Sequence, residues 1–184
     1  MKFSSVLLFA SSLVGALAAP AASRSRVFHL KTANSPNSDL NGALVKNIGN
    51  HASLGTGGVD VRAYFADDGS RRLIVNGLDG TEDNAYLIPT TPGSAISNFV
   101  FADAAISESR STEWGITNGK LVYGSEDRFY AFPTTNGWEV SSSLSFHISH
   151  GPINTNNFQI RWVDAGTIIT ADSFTIDLAI EYLN

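Results

Sequence analysis

The chain has 184 residues, of which 43% are hydrophobic and 16% charged, with a formal net charge of −5 and no cysteine. That length suffices for one domain with a sizeable core, and without thiols such a domain rests on apolar burial and backbone hydrogen bonds. The only lysines are Lys2, Lys31, Lys46 and Lys120, and no basic cluster exists, which excludes a phosphate-tracking nucleic-acid surface.

The N-terminus reads as an export signal. Lys2 is followed by an interrupted apolar run, Val6 to Ala10 and Leu13 to Leu17, and Ala16-Leu17-Ala18 places small residues where a signal peptidase reads. The run is shorter than the roughly 20 apolar residues a membrane helix needs. Residues 1–18 are therefore predicted to be a signal peptide and the protein to be secreted. No later segment has membrane-spanning length, and no Asn-x-Ser/Thr acceptor for N-glycosylation occurs. Residues 19–26, "APAASRSR", read as a disordered leader, and residues 27–184 as one domain.

The domain opens with Val27 to Lys31, an alternating strand with Phe28 and Leu30 inward. "NSPNSDLNG" follows as a loop by composition. "VDVRAYF-ADDGS-RRLIV" (59–75) reads as a hairpin, with Val59, Val61, Ala63 and Phe65 on one face and Asp67-Asp68-Gly69 in the turn. "DGTEDN" (79–84) lacks the alternating ligands and closing Glu of a calcium loop and reads as a solvated turn. Short strands are predicted near Ile96 to Phe101, Glu113 to Ile116, Lys120 to Tyr123, Arg128 to Phe132 and Trp138 to Val140. "LSFHIS" and "NFQIRWV" alternate as well. At the C-terminus Phe174, Ile176, Leu178, Ile180 and Tyr182 occupy every second position, the mark of a strand with one dry face. No segment of the mature chain has convincing helical periodicity. The predicted fold is all-β: a single-domain sandwich or trefoil-like barrel of short antiparallel strands without a disulfide.

Trp114, Trp138 and Trp162 are evenly spaced, but "GITNG", "EVSSS" and "VDAGT" after them do not match, so no repeat is inferred. "HASLG" (51–55) has Ser53 and Gly55 of a nucleophile elbow but His51 in place of its first glycine, and a glycine-rich hairpin loop is the expected structure. His147 and His150 are three apart on a predicted strand and face opposite ways, so no metal site and no cofactor is expected. Glu113, Glu139 and Asp164 stand beside the three tryptophans and are candidates for the carboxylate pair of a glycosidase.

Most of the phenylalanines, with Trp114 and Trp162, are assigned to the core. Tyr123, Tyr130 and Trp138 remain as candidates for an exposed aromatic face, whose flat rings suit sugars and protein partners.

"WGITNGKLVYGSEDRFYAFPTTNGWEV" (114–140) and "LNGALVKNIGNHASLGTGGVDVRAYF" (40–65) together resemble segments of small secreted proteins of filamentous fungi, similar to PhiA-type cell-wall and IgE-binding proteins. The resemblance spans residues 27–163 and transfers no catalytic residue. Where many such proteins have Cys after the aromatic-Ala segment, this chain has Phe132. The resemblance implies a β-rich protein at the wall or in the medium. The expected function is non-enzymatic binding of wall polysaccharide or a host surface protein, effector-like in the latter case; the alternative is a secreted glycosidase-like hydrolase.

Overall fold

A computed structural model describes residues 25–134, 157–169 and 172–183. Among these residues thirteen strands form one sheet: β1 (Phe28–Ala33), β2 (Lys46–Ile48), β3 (His51–Leu54), β4 (Val59–Asp60), β5 (Arg62–Phe65), β6 (Leu73–Asn76), β7 (Glu82–Pro89), β8 (Ile96–Ala102), β9 (Trp114–Thr117), β10 (Lys120–Tyr123), β11 (Phe129–Pro133), β12 (Phe158–Val163) and β13 (Phe174–Tyr182). The one helical element among the described residues is a 3₁₀ turn, Ser38–Leu40.

The sheet closes on itself. β1, β5, β6, β7 and β8 follow one another, β12 pairs with β8, β11 with β12, β13 with β11, and β13 returns to β1. β3 sits between β8 and β12, bonding to both, which makes nine barrel strands. Closure removes the exposed edges that an open sheet would leave. The fold is thus a barrel and not a sandwich. The seam joins the first and last strands over six residue pairs, from Phe28↔Tyr182 to Ala33↔Asp177.

Alternation explains which residues fill it. In β1 Phe28 and Leu30 point inward, in β8 Phe99 and Phe101, in β11 Phe129 and Ala131, in β12 Ile160 and Trp162, and in β13 Ile176 and Leu178. Phe99, Phe129 and Trp162 meet in a chain of ring contacts, with centroids 6.0 Å and 5.2 Å apart. The β9–β10 hairpin lies outside the ring, joined to β13 at Lys120↔Ala179, yet contributes Trp114 and Tyr123 to the interior. Trp114 stacks on Phe99 at 5.0 Å, and its indole N–H donates to the Ala85 carbonyl at 3.2 Å. The burial of Trp114 and Trp162 matches the sequence reading. Their settings differ, one on an outer hairpin and one on a barrel strand, as expected if the Trp spacing is no repeat.

Two local expectations change. The hairpin expected over residues 59–75 forms only from Arg62: β5 pairs with β6 around the Asp67-Asp68-Gly69 turn, whereas Val59 pairs with Asn47 of β2 and is exposed, so the chain enters the barrel at Arg62 to pair with β1 and β6. "HASLG" is not a loop, because His51 to Leu54 form β3, with Ala52 and Leu54 inward. The predicted strands at Trp138 to Val140 and in "LSFHIS" lie outside the described residues.

Candidate functional site at the barrel mouth

One end of the barrel holds a cavity of about 830 Å³. There β3 finishes at Leu54, β11 finishes at Pro133, β12 starts at Phe158 and β13 starts at Phe174. Register brings these residues together, since Phe158 faces both Leu54 and Pro133, and Phe174 faces Ala131. The floor is the core itself: Leu40, Leu54 and Phe158 are buried, and Phe174 and Ala43 pack against them. Phe158 and Phe174 meet edge to face at 6.2 Å, a favourable arrangement for two rings.

The wall between β1 and β2 is held by side chains acting as backbone. Asn41 accepts from the Ser35 amide at 2.8 Å and donates to the Ser35 carbonyl at 3.1 Å, while Thr32 bonds the carbonyls of Leu40 and Ala43. Gly42, at φ +81°, makes the bend that lets its amide reach the Thr32 carbonyl at 2.7 Å. This bracing buries Leu40 and leaves the next residue back, Asp39, facing solvent at the rim. Asn37 caps the 3₁₀ turn by accepting from the Asp39 amide at 3.1 Å.

The rim is polar and predominantly acidic. Asp39, Asp172, Asn37, Ser173 and Lys46 line it. The Lys46 ammonium is engaged with Asp60 at 3.5 Å, whereas Asp39 and Asp172 enter no ion pair among the described residues and are exposed. The arrangement is an apolar, aromatic floor beneath two carboxylates that have no ion pair among the described residues.

The aromatic candidates from the sequence are not brought together. Tyr123 is buried, at 6% exposure, with its ring edge-on to Trp114 at 5.0 Å and to Trp162 at 5.9 Å. Burial, with the negative charge of Glu113, pushes its phenol pKa up. It belongs to the core because β10 turns that face toward the barrel, which alternation alone could not tell. Tyr130 is half-buried on the outer face of β11, opposite Arg161 and Thr175 in register. Trp138 lies outside the described residues.

Other candidates take structural roles. Asp164 accepts from Arg110 and from the Trp162 indole, both at 2.9 Å. Ser53 is a buried mid-strand residue whose hydroxyl reaches the His51 carbonyl at 3.4 Å, with no sharp strand-to-helix turn beneath it. In "DGTEDN" Asp79 accepts from both the amide and the hydroxyl of Thr81, but Glu82 already begins β7, so the turn is shorter than expected. No metal-holding group of His, Asp and Glu occurs among the described residues. Glu139, His147 and His150 lie outside them. Among the described residues no helix is long and apolar enough to cross a membrane.

A polar relay on the outer face escaped the sequence reading. Arg161 donates twice to Gln159 Oε1, at 2.9 and 3.2 Å, and Gln159 Nε2 lies 2.6 Å from His51 Nδ1. The Arg161 guanidinium also covers the Phe132 ring at 4.9 Å. With the Gln159 oxygen held by Arg161, the amide N–H is placed to donate to Nδ1, an arrangement that suits the neutral imidazole. Burial, with the nearby Arg161 charge, lowers its pKa below the ordinary histidine value.

No family model, no curated protein and no solved structure matches the chain.

Proposed function

We propose that the protein is a secreted, non-enzymatic binding module that acts at a cell wall or host surface and takes its ligand, wall polysaccharide first among the candidates, at the barrel mouth. The mouth cavity carries this reading. At about 830 Å³ it falls in the size range of ligand sites, and barrel mouths are among the places where such sites recur. Its floor of core side chains is held rigid by the closed sheet, so little ordering is needed when a ligand arrives. The signal-like N-terminus supports secretion, and the resemblance of residues 27–163 to fungal secreted proteins supports the wall setting.

The test is to incubate purified protein with fungal and plant wall fractions, scoring pelleted protein and released sugar. Pelleting without soluble sugar is the expected result. Sugar above a heat-treated control would favour the glycosidase reading instead, with the carboxylates beside the tryptophans, Glu113, Glu139 and Asp164, as those to mutate first.

A further inference from the structure

We propose that the barrel mouth selects sugars bearing a free, positively charged amine, as in a deacetylated β-1,4-glucosamine chain, over neutral or N-acetylated sugars. The inference deepens the wall-binding reading and rests on it. A hexosamine ring has two chemically different parts: a face of C–H groups and an ammonium at one edge. The mouth offers a matching surface for each. Phe174, only partly buried, presents apolar ring surface against which C–H groups pack, with the buried Phe158 edge to face behind it, and ring faces also attract cations. Asp39 and Asp172 supply negative charge at the rim.

Three features make this charge available. Neither carboxylate is in an ion pair among the described residues. Among the rim's described residues the one cation, Lys46, is held by Asp60 at 3.5 Å, which leaves an acidic excess. The whole chain carries a net charge of −5, which favours encounter with a polycation. A neutral glucan ring would pack on the phenylalanines but leave the two carboxylates without a partner. An N-acetylated ring would do the same and carry extra bulk where the ammonium should sit.

The experiment is calorimetric titration of the mature protein with three oligosaccharides of equal length: free-amine glucosamine, N-acetylglucosamine and neutral β-glucan. The free-amine oligomer is expected to bind at least about tenfold tighter than the others, with an affinity that falls as salt rises. Asp39→Asn with Asp172→Asn should remove most of that preference while leaving thermal unfolding unchanged, because both residues are exposed. The exposed pair Asp67→Asn with Glu108→Gln, away from the mouth, controls for net charge and should keep the preference. Equal affinity for the acetylated or neutral oligomer, or a preference that survives loss of both rim carboxylates, overturns the selectivity and leaves wall binding intact. Failure of all three sugars to bind, together with no pelleting on wall fractions, removes the wall-binding reading itself.

Discussion

Trp114 shows how much one side chain can hold together. It is 1% exposed, touches Phe99, Tyr123 and Phe129, and satisfies its indole N–H on Ala85. Trp114→Ala would empty the space that joins the outer hairpin to the barrel, and it should cost about 3–5 kcal/mol in urea unfolding. Asn47 is the opposite case. It is fully buried on β2, and neither its amide nitrogen nor its oxygen has a partner among the described residues. A buried polar group left unpaired costs roughly 1–3 kcal/mol, so Asn47→Leu should raise the unfolding midpoint unless the extra bulk strains β2. A drop in stability shared by Asn47→Ala, which adds no bulk, would mean that the amide has a partner in solution.

His51 gives a residue-scale pH dependence. Its folded pKa lies below the ordinary histidine value, so the unfolded chain takes up the proton first as pH falls. The neutral imidazole's contribution is complete above about pH 6.5 and shrinks as pH drops toward the lowered value. Protonated Nδ1 would also meet the Gln159 N–H as donor against donor. Unfolding measured between pH 7.5 and 5 should show a loss for the wild type that is smaller in His51→Gln. Equal loss in both would place the proton uptake elsewhere.

At the scale of elements, legibility followed the length and regularity of the alternation. β13 shows it best, since Ile176 and Leu178 are buried where the pattern put them, and Tyr182 is exposed because it lies at the strand's open end. β1 and β12 were readable for the same reason. The break between β4 and β5 was not. Val59, Val61, Ala63 and Phe65 share one parity, but after Asp60 the chain exchanges β2 for β1 and β6 as its neighbours, a tertiary choice that period-two patterning does not encode. The β1–β13 seam was also invisible, because pairing Phe28 with Tyr182 depends on the closure of the whole sheet. Its consequence is testable. Deleting residues 174–184 removes the partner of β1, β10 and β11 at once and should yield an unfolded, aggregation-prone chain. Ile176→Asp, at a site 2% exposed, should cost at least about 3 kcal/mol by burying an unpaired charge.

At the scale of the whole molecule the barrel explains how a cysteine-free chain can be stable: closure satisfies every edge of the ring and surrounds an aromatic interior. It also explains why the candidate site was not legible. Leu40, Leu54, Phe158 and Phe174 come from four separate segments and meet only because β3, β11, β12 and β13 end or begin at one rim. Tyr123 looked like a surface ring because nothing local distinguishes a hairpin face turned toward a barrel from one turned toward water.

The most direct test of the mouth as the ligand site is a nuclear magnetic resonance titration of the labelled protein with soluble wall oligosaccharides. The largest shifts are expected at Leu40, Leu54, Phe158, Phe174 and the amide of Asp39. Shifts centred on Tyr130 and Arg161 of the outer face, with the mouth unmoved, would contradict the account.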